Sequence, residues 1–344
     1  MKIIFVGRFN KSDIFTGPEK VAKRLFANLQ NENIFFVDYF SDGAKYSLFQ
    51  KVFGKEIIAN KVFRFGFIPF LLFIIKFKPD IIHFVTFERF ALVSFLLKPF
   101  LKCKYFYHVH GIVKLENKYF KKSIPLFYKL KNRIAEFLFY KFSNEIIFVS
   151  EKVKNIAKQN YNFNKFRILH NGVDEVSFKN KIRNKKLKIL FTAEPNRPEK
   201  GFDFAVEIAN ELKNKFEMYI FSNDKIKYFK AVKKMEVSKY YKFLSQIDIV
   251  ISTSIYEPFQ LNVIEAMSFG AIPIVTNNIG ASEIIKNNFN GFILNFGDKK
   301  GFVECVTDLS KNKNLLNKIS SISQKRVEKL NWKNVSSELL SFYK

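Results

Sequence analysis

The chain of 344 residues has two cysteines, Cys103 and Cys305. They lie far apart and outside any ligand-like spacing, which excludes a disulfide framework and a zinc site and fits a reducing, cytosolic setting. No tract rich in proline, serine or glycine breaks the apolar runs, so disorder and low complexity are not expected. No uninterrupted apolar run reaches the roughly 20 residues of a bilayer span. The stretch Phe67–Ile75 is interrupted by Pro69, flanked by Arg64, Lys76 and Lys78, and reads as a buried helix. The first apolar run, ending at Val6 before Gly7, is too short for a signal peptide and reads as a buried strand. Arginine is scarce: it supplies nine of the 58 basic residues. Nucleic-acid readers rely on guanidinium forks, and no zinc finger, basic zipper or RNA-binding aromatic signature occurs. Nucleic acid is therefore not expected as a partner, although the net charge is +27. The lysine excess reads as compositional bias as much as selection. A positive surface still attracts anionic ligands and lipid headgroups.

What is present suggests two domains, at roughly 150 residues each, and 48% apolar residues are enough for two cores. In the first half, strands are expected at Lys2–Val6, Ile34–Val37, Asp80–Val85, Tyr105–His110 and Ile146–Val149. They alternate with helices at Gly17–Gln30, Ile68–Phe77 and Phe90–Leu101. Such alternation implies a parallel sheet covered on both faces. Lys179, Lys181, Arg183, Lys185, Lys186 and Lys188 then break the pattern. The reading is a first domain over 1–178, a linker over 179–187, a second α/β domain over 188–328, and a closing segment over 329–344 with a helix at Trp332–Phe342. In open α/β sheets ligands bind beyond the carboxyl ends of the strands, so functional residues are expected just after strands.

The most informative segment is Ser254–Ala281, SIYEPFQLNVIEAMSFGAIPIVTNNIGA. A strand ends in a loop carrying Glu257 and Pro258, a helix starting near Phe259–Leu261 contains Glu265, and Gly270 stands where that helix should stop. The helix start presents free N–H groups and a dipole that favours an anion. Glu257 can accept hydrogen bonds from sugar hydroxyls and Glu265 from a ribose diol, a pair of anchors suited to a nucleotide sugar. Two glutamates at this spacing are common by chance. Glu-Pro-Phe and Glu-Ala-Met-Ser-Phe-Gly-Ala-Ile-Pro-Ile-Val in one run are more specific.

This run resembles glycosyltransferase family 4, retaining transferases with the GT-B architecture, in which two glutamates separated by seven residues precede a Gly-x-Pro context. The resemblance extends to Tyr240-Tyr241, Ile247-Asp248-Ile249, Asn277–Ile285, Asn290-Gly291, the turn Asn171-Gly172-Val173-Asp174, Phe148-Val149-Ser150, and Gly17 with Glu19 and Lys20. It implies two Rossmann-like domains facing a central cleft, with a C-terminal helix crossing back to the first. It implies that Glu257 contacts the transferred sugar beside the backbone of Phe259, Gln260, Leu261 and Asn262, and that Glu265 holds the ribose. By the same resemblance Lys200 contacts the diphosphate, Gly17 belongs to the donor loop, and His110 faces the transferred sugar. Taken singly, Lys200 reads as a solvated helix-start lysine and His110 as a structural histidine. His83, His108 and His170 take the structural reading. Four features depart from the family: Ala193-Glu194 replaces Gly-Arg, Gln260 replaces a glycine, the first loop has one glycine where two are common, and Ala281 stands where a second glycine is frequent. Arg197, three residues before Lys200, is expected to supply the missing charge.

No Asp-x-Asp pair occurs, which removes the usual metal clamp and leaves charge stabilisation to Lys200, Arg197 and helix N–H groups. The expectation is a metal-independent hexosyl transfer with retention, without a bound cofactor. The donor would be a UDP- or GDP-sugar and the acceptor a saccharide or lipid-linked glycan of surface polysaccharide synthesis. Lys118, Lys121, Lys122, Lys129, Lys131 and Arg133 lie among Phe120, Leu126, Phe127, Tyr128, Leu130 and Phe137. This stretch fits an anionic membrane surface, hence a peripheral cytoplasmic location, and fits an ordinary solvated helix equally well. A nucleotide-sugar epimerase of the same architecture and a non-catalytic partner subunit are the alternative readings.

Overall fold

The computed structural model describes residues 1–9, 17–29, 33–40, 46–87, 89–119, 125–176 and 186–344. Most of the expected linker, and Phe120, Lys121 and Lys122, lie outside the described residues. Two sheets organise the chain. The first contains β1 (Ile3–Val6), β2 (Ile34–Tyr39), β3 (Lys55–Ala59), β4 (Val62–Phe65), β5 (Ile81–Phe84), β6 (Lys104–Val109), β7 (Glu145–Phe148) and β8 (Phe166–Ile168). Its order is β3-β4-β2-β1-β5-β6-β7-β8, and every pairing is parallel except β3 with β4. The second contains β9 (Lys188–Phe191), β10 (Glu217–Phe221), β11 (Lys230–Val232), β12 (Ile249–Ser252), β13 (Ile272–Thr276) and β14 (Phe292–Leu294). It is ordered β11-β10-β9-β12-β13-β14, all parallel.

The central strands are continuous apolar runs because helices cover both faces: all of β1, β5, β12 and β13 is buried. Strand order reverses between β1 and β5 in one sheet and between β9 and β12 in the other, which opens a crevice at each set of carboxyl ends. Gly7 leaves β1 and Thr253 leaves β12 at those points.

The first domain's core joins Ile3, Phe5, Val21, Leu25 and Phe36 with Trp332, Val335, Leu339 and Tyr343. The helix Trp332–Phe342 therefore follows the second domain in sequence and packs on the first, as expected. Its Asn331 cap accepts from Asn334 N at 2.9 Å. Gly172 lies beneath the crossing chain, where a Cβ would come within 2.8 Å of the Trp332 ring.

Two segments depart from the sequence reading. The stretch expected as a helix over Phe90–Leu101 is a run of 3₁₀ turns, Arg89–Phe100. Pro99 lacks a donor, and Ser94 Oγ bonds the Ala91 carbonyl at 2.7 Å, so regular helical bonding is diverted. An antiparallel hairpin, β3–β4, forms the sheet edge. It turns at Lys61 in the left-handed region (φ 58°) and leaves four of the five β3 residues exposed.

Candidate functional site

The loop after β12 is built by hydrogen bonds that reach into neighbouring loops. Thr276 Oγ1 donates to Ser254 O at 2.6 Å, and Thr253 Oγ1 donates to Lys200 O and Gly201 O at 3.1 and 3.0 Å. Ile255 N donates to Glu199 O at 2.8 Å. Glu257 bridges to Ile279, and Gly280 N donates to Glu257 O at 3.0 Å. Two glycines allow this closeness. A Cβ on Gly201, itself left-handed at φ +65°, would sit 2.0 Å from Thr253 O, and one on Gly280 would sit 1.9 Å from Pro258 O. Ala281, where the family often has a second glycine, fits with its N–H on Phe259 O at 2.8 Å.

Gln260 precedes the helix Leu261–Ser268 with φ 72° and ψ 76°, a left-handed backbone that disfavours any residue but glycine. The glutamine is held by its buried amide. Nε2 donates to Thr192 Oγ1 at 2.7 Å and Oε1 accepts from Ser252 Oγ at 2.5 Å. The replacement of the family's glycine is thus a local compensation, and the helix start keeps its place.

Lys200 and Glu257 form an ion pair whose side chains are 6% and 15% exposed. Arg197 stands beside them. Its Nε donates to Glu199 Oε1 at 2.6 Å, and Glu194, at the family's arginine position, lies 3.5 Å from its NH1. Burial works against the guanidinium charge, but Glu194, Glu257 and Glu199 outweigh it and hold its pKa above the ordinary value. Arg197, Glu199, Tyr256 and Glu257 from the second domain share a cavity of about 120 Å³ with Glu116 and Tyr119 from the first. A larger hollow of about 290 Å³, near Ile285 and Arg326, lies on the second domain's flank. Its Glu283 and Arg326 are committed to other bonds.

Glu265 is engaged at both oxygens. Lys20 Nζ of the first domain donates to Oε1 at 2.6 Å, and Tyr240 OH donates to Oε2 at 2.8 Å. Burial opposes the Lys20 charge, but Glu265, Tyr241 and Asp174 raise its pKa above the usual lysine range. Asp174, of the Asn-Gly-Val-Asp turn, accepts from Arg24 NH2 at 2.7 Å and from Tyr241 OH. Lys20, Arg24, Asp174, Tyr240, Tyr241 and Glu265 thus form one network across the domain boundary. In the sequence Lys20, Asp174 and the tyrosine pair stand out as motif context with no contact implied, and Arg24 does not stand out. The one available signal for Arg24 was its position a turn after Lys20.

Other residues also meet across the gap. Gly17 lies against Leu261 at the helix start, 3.8 Å from a would-be Cβ. Ser150 Oγ donates to Pro258 O at 2.9 Å while capping its own helix at Val153 N. Glu283 accepts from Glu151 N and Lys152 N at 3.0 and 2.9 Å, and from His170. Phe259 is buried under the His170 ring, and Leu261 and Asn262 are half-buried at the helix start. His170 therefore acts between the domains rather than within one core.

His110, at the end of β6, is partly exposed but has a covered Nε2 with no hydrogen-bond partner. Burial lowers its pKa to about 4, offset in part by a bond with the Val85 backbone. Its ring stacks on His108 at 4.4 Å, and His108 on His83 at 5.5 Å. Neither His108 nor His83 reaches the gap, in keeping with the structural reading.

Comparison with known proteins agrees with this architecture. The family description Glycosyltransferase Family 4 matches residues 16–176, and Glycosyl transferases group 1 matches residues 173–326. An uncharacterized 41.2 kDa protein in the cps region of Klebsiella pneumoniae is 24% identical over 166 residues, covering 42% of this chain and 45% of that protein, so the match spans under half of the relative. Among solved structures, sucrose-phosphate synthase from Thermosynechococcus elongatus superposes with a TM-score of 0.78 at 12% identity, over 100% of this chain and 98% of that one. Anabaena HepE in complex with UDP superposes with a TM-score of 0.74 at 15% identity, over 99% of both. At these identities the structures establish the fold, and the two family matches together run nearly end to end. The chain belongs to the group 1 glycosyl transferases of glycosyltransferase family 4, built on the GT-B fold.

Proposed function

We propose that the protein moves a hexosyl group from a UDP- or GDP-sugar to a glycan or lipid-linked acceptor, with retention and without a metal, in surface-polysaccharide synthesis. The observation that carries this is the convergence of Gly17, Lys200, Glu257 and Glu265 around the start of one helix, between the crevices of two sheets. A diphosphate lying across the start of Leu261–Ser268 meets backbone N–H groups and the positive end of the helix dipole. Lys200 and Arg197 supply the cationic charge for the departing phosphate. Glu257 is left an oxygen for sugar hydroxyls, and Glu265 takes the ribose diol. His110 is neutral at physiological pH and exchanges a hydrogen bond with the transferred sugar. The departing phosphate takes the acceptor's proton on the same face, so the chain's contribution is positioning and electrostatics. HepE, solved with UDP, supports a uridine donor.

The first domain has a surface suited to a membrane. The helix Leu126–Phe142 buries only Ala135, Glu136, Phe139 and Tyr140. Leu126, Phe127, Tyr128, Leu130, Ile134 and Phe137 are exposed, at 81% for Leu126, among Lys129, Lys131 and Arg133. That is more apolar surface than a solvated helix keeps, and it supports peripheral binding to an anionic bilayer. Among the described residues no helix is long and apolar enough to cross one. Co-sedimentation with anionic vesicles at low salt tests this part, and its absence would count against it.

The main test is thermal stability against UDP-, GDP-, ADP- and CMP-sugars without metal, comparing the native chain with Glu265→Ala. A shift with one nucleotide, lost in the variant, is expected. A flat response to all four families would shift the reading toward a non-catalytic subunit.

A further inference from the structure

Glu136 belongs to none of the loops around the donor, yet among the described residues it is the most completely buried carboxylate, at 0% exposure. It stands on the inner side of the helix Leu126–Phe142. A carboxylate that deep is costly unless its oxygens are bonded. Oε1 accepts from the Val113 N–H at 3.0 Å, and Oε2 accepts from the Tyr161 hydroxyl. Tyr161 is aimed by its ring, which stacks on Tyr140 with centroids 4.2 Å apart and planes 10° from parallel. Val113 opens the helix Val113–Tyr119. Its N–H is one of those that no carbonyl of the helix can reach, and Glu136 occupies it. Only Gly111 and Ile112 separate Val113 from His110, the first residue after β6. The turn is pinned at both ends. Val109 is held in the sheet, where its carbonyl accepts from Val149 N, and Val113 is held by Glu136. Between them Ile112 is fully buried, and Gly111 has no room for a Cβ, which would sit 2.2 Å from Glu116 Oε1. A turn this short and this confined passes a shift at Val113 on to His110.

We propose that Glu136 is a positioning residue: by holding Val113 it fixes the turn that aims His110 into the gap between the domains. Its importance for transfer rests on the reading of His110 as facing the transferred sugar; its hold on the turn does not. An ionised carboxylate binds an N–H about twice as strongly as a neutral oxygen does, so the hold depends on a proton. Burial lifts the Glu136 pKa to about 7, against the bonds from Tyr161 and Val113. The groups that face it are Tyr107 of β6, Glu116, Tyr161, Tyr256 of the second domain, and Arg133 and Tyr140 of its own helix. Burial pushes all four tyrosines up, so they stay neutral through this range. Glu116 opposes the charge on Glu136 and Arg133 favours it. When Glu136 is protonated, one oxygen carries the hydrogen and the other remains a neutral acceptor for Val113. The turn is therefore held loosely below pH 7 and firmly above it.

The test is a pair of pH series on the full chain, native and Glu136→Gln, from about pH 6 to about pH 8.5. Glutamine keeps the shape and offers Val113 a neutral oxygen at every pH. The first readout is the His110 ring signal by NMR in protein carrying isotope-labelled histidine, identified among the four histidines by its absence in His110→Gln. In the native chain it should move with a midpoint near 7, the Glu136 value, although the ring itself titrates at about 4. In Glu136→Gln it should stay flat. The second readout is UDP released from UDP-glucose or UDP-N-acetylglucosamine. The two proteins should match near pH 6, and the native chain should be about fivefold faster near pH 8.5, the difference between a charged and a neutral acceptor. KM for the donor should not change, because Glu136 touches none of the donor loops. Glu136→Ala, checked for folding by its melting curve, should be slower than the native chain near pH 8.5 by about tenfold. The proposal is overturned if the His110 signal, or the turnover, follows the same pH course in the native chain and in Glu136→Gln. Unchanged turnover in His110→Ala, or a native chain that releases no UDP, would instead sink the transfer reading, and the His110 signal would then judge Glu136 alone.

Discussion

Lys20, on the opening helix of the first domain, donates to Glu265 of the second at 2.6 Å, and their side chains are only 10% and 7% exposed. The carboxylate proposed to grip the ribose is therefore held in place by the opposite domain. Breaking one side of such a buried pair costs about 3–5 kcal/mol when nothing replaces it. Here Tyr240 still donates to Glu265, and separation of the domains would let water in, so the expected loss is lower.

Lys20→Met should lower the unfolding free energy by about 2–3 kcal/mol, and Glu265→Gln by a similar amount, while the double variant should lose less than the two together. A coupling free energy near zero in this cycle, measured by denaturant unfolding, would mean that the contact does not close the domains. The Lys20 variant should also bind UDP more weakly, because Glu265 loses its orienting partner.

Lys200 has a different part. It pairs with Glu257 inside the site, and the proposed chemistry needs its charge when the phosphate departs. Lys200→Met should lower kcat for transfer by about 100- to 1000-fold, the usual range for removing one preorganised charge-stabilising donor. Arg197→Gln should raise KM for the donor more than it lowers kcat, since its guanidinium is shared with Glu194 and Glu199. Steady-state kinetics with a single donor distinguish the two patterns. Equal effects on both constants in both variants would remove the distinction between leaving-group and binding cations.

Local signals account for how much of this was legible. Continuous apolar runs placed β1, β5, β6 and β7 to within a residue at each end, because strands buried on both faces need no polar alternation. The edge hairpin was not legible: Lys55-Glu56-Ile57-Ile58-Ala59 mixes charge and apolar residues on a strand with one neighbour. Strand β11 has three residues, two of them exposed, too few for any period to show. Glu257, Glu265, Lys200 and Arg197 could be picked out because they belong to one compact run and one loop. The Lys20–Glu265 contact joins residues 245 apart in sequence, and no local pattern reports such a pair. The same holds for Glu283, whose carboxylate caps a helix 131 residues away in sequence.

Gln260 allows a sharper test of the loop, because its backbone strain and its side-chain bonds can be separated. The left-handed conformation costs a non-glycine residue about 1–2 kcal/mol, and the bonds to Thr192 and Ser252 return about 1 kcal/mol each. Gln260→Gly removes both effects and should change stability by less than about 1 kcal/mol. Gln260→Ala keeps the strain and loses the two bonds, while Thr192 Oγ1 keeps Ile251 O and Ser252 Oγ keeps Ser254 Oγ, so it should cost about 2 kcal/mol. Urea unfolding of the two variants decides the matter. An alanine variant as stable as the glycine variant would mean that the left-handed backbone costs nothing there, and one as stable as the native chain would mean that the side-chain bonds carry no weight.

The buried histidines set the response to acid. Burial lowers the His83 pKa to about 3 and moves His108 well below the ordinary 6.5, while both titrate near 6.5 once unfolded. Between those values the unfolded chain binds more protons, so stability is complete above pH 6.5 and is lost as pH falls, by up to about 1.4 kcal/mol per pH unit for each histidine. Glu136 works the other way. Burial raises its pKa to about 7, against bonds from Tyr161 and Val113 that lower it, so its share is present at low pH and is lost as pH rises through 7. With His110 lowered to about 4 as well, the histidines outnumber it. The urea midpoint should therefore drop between pH 7.5 and pH 5. In His108→Gln, whose baseline stability at pH 7.5 will itself be lower, that drop should shrink by roughly half, one histidine of a net two once Glu136 is set against the three. Parallel pH profiles for the variant and the native chain would mean that His108 is protonated in the folded state as readily as in the unfolded one, and that its stack with His110 does not hold the ring neutral.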